Sequence, residues 1–186
     1  MAIKRFVMDG YGQIELNNVA FRRDGRIEAQ CKPAVEALKE QNIDFIENGM
    51  LLAVDNINRV VKPAVDGSLP IAIVYSGEHM YDERANALKD FKLGLENDFL
   101  PRLGYTTLAD KLTTNCVCYD DAEFENDEKF VEALENIAEV KLFGGACEAG
   151  AIKVSATEPA FGPKLLVVKK TTMPDGQLGI KFQQIV

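Results

Sequence analysis

Three apolar runs, Met50–Val54, Val60–Val65 and Ile71–Tyr75, follow one another within the stretch 47–75, ENGMLLAVDNINRVVKPAVDGSLPIAIVY. Each has the length of one strand and is rich in β-branched residues, which fit a pleated surface. Asp55-Asn56 and Asp66-Gly67 separate the runs. Short polar side chains bond the local backbone and glycine accepts positive φ, so both pairs favour turns. The pattern predicts a three-stranded antiparallel meander at the centre of the fold.

Around this centre the periodicity changes several times. Residues 3–28 alternate loosely through Ile3, Phe6, Val7, Ile14, Leu16, Val19, Phe21 and Ile27, with hairpin signals at Asp9-Gly10 and Asp24-Gly25. Two or three strands are expected there. Pro33–Gln41 reads as a short helix, with proline in the first turn and Val35 and Leu38 on one face. Residues 78–95 are rich in helix formers and are expected as a helical excursion, capped by Asp82 and ended by Gly94. Leu103–Leu108 follows, and Leu112–Tyr119 reads as one strand. A second helix is expected over Asp127–Val140, where Phe130, Val131, Leu134, Ile137 and Ala138 share a face and acidic residues suit the helix start. Strands return at Ala151–Ala156, Leu165–Lys170 and Leu178–Val186, the last two joined by the turn Pro174-Asp175-Gly176. The fold class expected is mainly β with inserted helices, an antiparallel, barrel-like body forming one domain over residues 1–186. Residues 1–19 are read either as an N-terminal arm that docks on another subunit or as an ordinary first strand of the domain's own sheet. The arm would use an open sheet edge for strand addition.

Composition bounds the partners. With 186 residues and 47% apolar content the chain can bury a substantial core. A net charge of −8 repels phosphate backbones, so nucleic acid is not expected as a partner. No apolar run reaches the ~18 residues of a membrane span, and the N-terminus lacks the apolar core of a signal peptide. Synthesis and retention in the cytosol are expected, with the four cysteines reduced.

The residues that could carry chemistry each have a plainer reading. Cys116 and Cys118 stand at i and i+2 of a strand and share a face, and Cys31 and Cys147 could complete a thiolate set. No CxxC knuckle is present, and the four are read as small hydrophobic core residues. His79, the single histidine, follows a strand end in Ser76-Gly77-Glu78-His79, but has neither an oxyanion loop nor an orienting partner in sequence. The acidic run Asp120–Glu128 lacks the mid-loop glycine of a calcium loop and is read as a solvated face. Gly144-Gly145 through Gly150 follows a helix and precedes a strand, the wrong order for a phosphate cradle, and is read as a flexible connection. No residue is assigned a catalytic, cofactor-binding or metal role.

Two segments, NGMLLAVDNINRVVKPAVDGSLPIAIVYS and LLVVKKTTMPDGQLGIKFQQIV, resemble structural proteins of tailed double-stranded-DNA bacteriophage heads. The first is similar to the strand layout of head-decoration (cement) proteins. The second, with LGYTTL at 103–108 and LTTNC at 112–116, is similar to other phage virion proteins. The resemblance covers about half the chain and carries no catalytic or binding motif. It implies a non-enzymatic virion component, a capsid decoration or auxiliary head protein. Such a protein is made in the host cytoplasm, forms homo-oligomers and binds the major capsid protein or other virion subunits. A head–tail connector or tail component is the alternative location, and a small cytosolic enzyme using Cys116, Cys118 or His79 is the alternative of another class.

Overall fold

The computed structural model describes residues 2–76, 92–95 and 100–186. In chain order the elements are β1 (Ile3–Arg5), β2 (Ile14–Asn18), α1 (Phe21–Asp24), β3 (Ile27–Glu28), β4 (Lys32–Pro33), α2 (Val35–Glu40), β5 (Phe45–Glu47), β6 (Leu51–Asp55), β7 (Val60–Pro63) and β8 (Ile71–Val74). There follow β9 (Lys92–Gly94), β10 (Leu103–Gly104), β11 (Lys111–Thr114), β12 (Val117–Asp120), α3 (Asp127–Glu135), β13 (Phe143–Gly145), β14 (Ile152–Ser155), β15 (Leu165–Thr172) and β16 (Leu178–Gln184). The protein is therefore mainly β with inserted helices. Its largest sheet has eight strands in the order β1-β12-β14-β13-β15-β16-β11-β2; a six-stranded sheet runs β3-β10-β8-β6-β7-β4, and β5 pairs with β9. Among the described residues all pairings are antiparallel except β12–β14 and β4–β7.

The large sheet must be rolled. β12 and β11 are second and seventh in its order, yet only Asn115 and Cys116 separate them in the chain. Strands about 4.8 Å apart would place them ~24 Å from each other in a flat sheet, whereas the link from Thr114 to Val117 reaches ~10 Å at most. The expected single strand Leu112–Tyr119 is thus broken, and its two halves close the roll. Side chains satisfy the backbone at the break: Asn115 Oδ1 accepts the Gln13 N–H at 2.8 Å and Thr114 Oγ1 accepts that of Cys116 at 3.0 Å.

The central stretch is buried on both faces. Leu51, Ile73 and Tyr75 enter one core with Val117, Tyr119, Ile152, Leu165, Phe182 and the α3 residues Phe130 and Leu134. Leu52, Val54, Val61, Ala72 and Val74 enter a second core with Leu38, Ile46 and the four cysteines. The order is β8-β6-β7, so β6 pairs on both edges and the expected meander is corrected: residues 64–70 carry the chain across to the far side of β6. A central strand with both faces covered needs both edges paired, because its backbone groups have no water to meet.

Other expectations shift for local reasons. Asp24-Gly25 ends the one-turn helix α1, with Gly25 at φ 69°, and makes no hairpin because β2 and β3 belong to different sheets. Asp9-Gly10 makes none either, since β1 and β2 lie at the two ends of the sheet order. Residues 3–5 and 14–18, the stretch considered as an arm, pair within the body, and Phe6 contacts Phe130 with ring centroids 5.7 Å apart. Of the helical excursion at 78–95, residues 78–91, including Asp82, and His79 with them lie outside the described residues. Lys92–Gly94 is a strand on β5, where Leu93 joins the second core. The helix expected over Asp127–Val140 ends at Glu135; Asn126 caps its start by accepting the Lys129 N–H, and Asn136 turns the chain out by bonding the Glu132 carbonyl. Gly144 and Gly145 form a central strand rather than a flexible connection. A Cβ on Gly144 would lie 2.7 Å from Ile152 Cγ2, and one on Gly145 would lie 2.4 Å from Pro159 Cγ. The Pro174-Asp175-Gly176 turn joins β15 to β16 as expected, pairing Thr172 with Leu178.

Leu52→Ala and Ile73→Ala, both at 0% exposure, are expected to cost about 2–5 kcal/mol in urea unfolding. Ile57→Ala, at a turn position 94% exposed, should change stability by less than about 0.5 kcal/mol. At the same turn, bonds from Asn58 and Lys62 hold the Asp55 carboxyl down to about 2. A depressed folded-state value gives stability that is present above the unfolded value near 3.9 and lost as pH falls through about 2. Asp55→Asn should therefore lower the urea midpoint at neutral pH, and the gap to wild type should close between about pH 4 and pH 2.

Candidate functional site

The densest polar chemistry lies where the roll closes. Three segments far apart in sequence meet there: Gly12-Gln13, the loop Glu47-Asn48-Gly49, and Thr114-Asn115-Cys116. Gln13, Glu47, Asn48, Thr114 and Asn115 are all buried. Buried polar groups are costly unless bonded, and the side chains of Glu47, Asn48, Thr114 and Asn115 bond the backbone of neighbouring segments. Thr114 Oγ1 donates to the Gln13 carbonyl at 2.6 Å, and Asn48 Nδ2 donates to the Ser76 carbonyl at 2.7 Å.

Arg5, at the end of β1, reaches into this knot. Its Nη2 meets Glu47 Oε1 at 2.9 Å, and its Nη1 donates to Cys116 Sγ at 3.0 Å. The other Glu47 oxygen accepts the Gly12 N–H at 2.5 Å. Glycine is needed on both sides of this contact. A Cβ on Gly12 would lie 2.2 Å from the Asn48 carbonyl oxygen; Gly49 has φ +88°, and its Cβ would lie 2.3 Å from Thr114 Oγ1. β1 carries Arg5 here because it pairs with β12 in the register Arg5↔Cys118.

Beside the knot is a cleft of about 320 Å³, lined by Ile3, Arg5, Phe45, Met50, Cys118 and Ala151 among others. Cys116 and Cys118 do share a face, the one turned to the second core, and Cys147 joins them from the turn after β13. Cys118 Sγ and Cys147 Sγ are 3.6 Å apart, and Cys147 Sγ donates to the Ala151 carbonyl at 3.3 Å. Cys31 is separate, with its thiol 3.8 Å from Asn56 Oδ1. Burial pushes the Cys116 thiol up to about 12, against the pull of Arg5, and raises Cys31 to about 11. The bond to Cys147 and burial both hold Cys118 well above the ordinary thiol range. The thiolate is the nucleophile, so burial leaves Cys116 a poor one at neutral pH. The arrangement suits packing and hydrogen bonding, with a guanidinium as the one charged donor.

The acidic run is engaged in fastening. Asp121 Oδ1 accepts the Ala2 N–H at 3.0 Å, Asp120 meets Lys153 Nζ at 3.4 Å, Glu123 accepts the Ala156 N–H at 2.5 Å, and Asp127 accepts the Tyr119 hydroxyl at 2.6 Å. Among the described residues no group of three or more His, Cys, Asp or Glu side chains could hold a metal ion. Among them, too, no helix is long and apolar enough to cross a membrane.

Reading the residues in order does not single out Arg5 and Glu47, because their partners lie at separations of 42 and 111 positions. The one local signal is glycine within strand-like sequence, at Gly12 and Gly49, which marks a close backbone approach. No protein-family model matches the chain, and no curated protein or solved structure matches it either.

Glu47→Ala would leave the Arg5 guanidinium and the Gly12 N–H without their acceptor. The expected loss is about 2–4 kcal/mol, below that of a fully buried pair because the Arg5 side chain is 31% exposed. Urea unfolding of Glu47→Ala, Arg5→Ala and the double variant measures it. The double variant should lose less than the sum of the two singles.

Proposed function

We propose that this chain is a non-enzymatic structural subunit of a tailed double-stranded-DNA bacteriophage particle, a capsid decoration or auxiliary head protein acting through contacts with other subunits. The observation that carries the reading is where reactive and apolar groups lie. The buried thiols described above are engaged with Arg5, with one another and with the Ala151 carbonyl, and Asp120, Asp121, Glu123 and Asp127 fasten segments of the body. Several large aliphatic side chains stand exposed on the surface. Ile57 is 94% exposed at the β6–β7 turn, and Leu108 and Val186 are each 69% exposed. The last two stand close together, because the Ala109 N–H donates to the Gln184 carbonyl at 2.9 Å. Exposed aliphatic side chains on a stiff β frame suit subunit contacts, where a few buried anchors supply most of the binding energy.

The resemblance of residues 48–76 and 165–186 to phage head proteins supplies the setting, with the major capsid protein or a second copy of the chain as partner. A connector or tail location differs only in copy number. Denaturing gels of purified particles test the reading: a copy number near that of the shell subunit is expected. Ile57→Asp and Leu108→Asp should reduce incorporation while leaving the unfolding midpoint close to that of the wild type. Absence of the chain from purified particles, or catalytic turnover that is lost with Cys116 or Cys118, would overturn it.

A further inference from the structure

Cys118 and Cys147 are 29 positions apart in the chain, and their sulfurs are 3.6 Å apart in the second core. Two features hold them together. Cys118 lies on β12 beside β14, and the turn 147–150 folds back toward that strand through the bond from the Gly150 N–H to the Cys147 carbonyl at 3.1 Å. Both thiols also point at one acceptor, the Ala151 carbonyl, at 3.7 Å from Cys118 and 3.3 Å from Cys147. We infer that this pair is a site of oxidative cross-linking, closed to an internal disulfide by a peroxide that enters through the adjoining cleft.

Geometry selects this pair over the other combinations. A disulfide needs its Cβ atoms about 3.8 Å apart. Cys116 and Cys118 are two residues apart along an extended segment, a spacing of about 6.6 Å, and the Cys116 sulfur is held by Arg5. Cys31 lies at Asn56, away from the other three. For Cys118 and Cys147, the sulfurs need to come only about 1.5 Å closer to reach bonding distance. The cleft of about 320 Å³ has Cys118 in its wall, with room for an oxidant the size of water.

The chemistry balances with hydrogen peroxide as the oxidant. The Cys147 thiol, held below the ordinary range by the bond from Cys118, loses its proton and its sulfur attacks one peroxide oxygen; the O–O bond breaks and the departing hydroxide takes that proton as water. The resulting sulfenic acid is attacked by the Cys118 sulfur, the S–S bond forms and the S–O bond breaks. Hydroxide leaves with the Cys118 proton as a second water. Two thiols are oxidised and one peroxide is reduced. The product ties β12 to the β13–β14 connection across a loop that contains α3. The inference is independent of the virion reading, since it uses only the thiols and the cleft.

The test treats the full chain with hydrogen peroxide, then blocks the remaining thiols with an alkylating agent after denaturation. Intact mass and peptide mapping follow. The expected result is a loss of two hydrogens, two alkylated cysteines (Cys31 and Cys116), and one linked peptide pair containing Cys118 and Cys147, all reversed by dithiothreitol. Cys31→Ala and Cys116→Ala should keep the linkage, and Cys147→Ala should abolish it. The wild-type peptide map decides the matter even if a cysteine variant fails to fold. A bridge between other cysteines or between chains would overturn the inference. So would four alkylatable thiols with oxygen added only at Met50, or sulfinic acid at Cys147 or Cys118 without a bridge.

Discussion

Closing a sheet on itself through a two-residue link forces a break in hydrogen bonding, and the rest of this protein is arranged around that break. Between β11 and β12 the backbone leaves both ladders, and its polar groups lie beyond the reach of bulk water. Gln13, Thr114 and Asn115 supply bonds the ladders cannot, while Gly12 and Gly49 let two further segments come within contact distance of the break. Arg5 and Glu47 then add an ion pair, joining β1, the end of β5 and Cys116. In a polar knot of this kind, removing one member costs more than the lost bond, because its former partner is left buried and unmatched.

The knot also explains how two cores coexist in 186 residues. β6 and β8 separate them, sending Leu51 and Ile73 one way and Leu52, Ala72 and Val74 the other. β12 does the same, with Tyr119 stacked against Phe130 in the first core and Cys118 in the second. Strands that serve two cores cannot slip in register without exchanging both sets of side chains, so the pairing is specified twice. The Glu47-Asn48-Gly49 loop is placed where β6 begins, so the knot fixes the register of the strand on which both cores depend.

These constraints bear on function through what they leave at the surface. Buried thiols bonded to one another, to Arg5 and to the Ala151 carbonyl, and carboxylates engaged in fastening segments, are groups in use within the fold. Ile57, Leu108 and Val186 are not so engaged, and they are the residues through which a structural subunit would meet its neighbours. A rigid frame serves such a role because contact residues that are already ordered lose less entropy on binding.

Local physics determined much of this protein. The strand positions of the central stretch, the Pro174-Asp175-Gly176 hairpin, the start of α3 at its asparagine cap and the shared face of Cys116 and Cys118 all follow from period, propensity and turn chemistry within a few residues. The predominance of β structure follows from the same signals. Only the tertiary structure decided that β8 lies across β6 from β7, that Leu112–Tyr119 breaks at Asn115, that Gly144-Gly145 is a buried strand and that Arg5 finds Glu47 and Cys116. In each case the deciding neighbour is remote in sequence: Phe182 and Pro159 around the paired glycines, Gln13 at the break, Glu47 beside Arg5. Periodicity records which face of an element is apolar, but the partner that covers it, and the path by which a sheet closes, are set by long-range packing that no local pattern encodes.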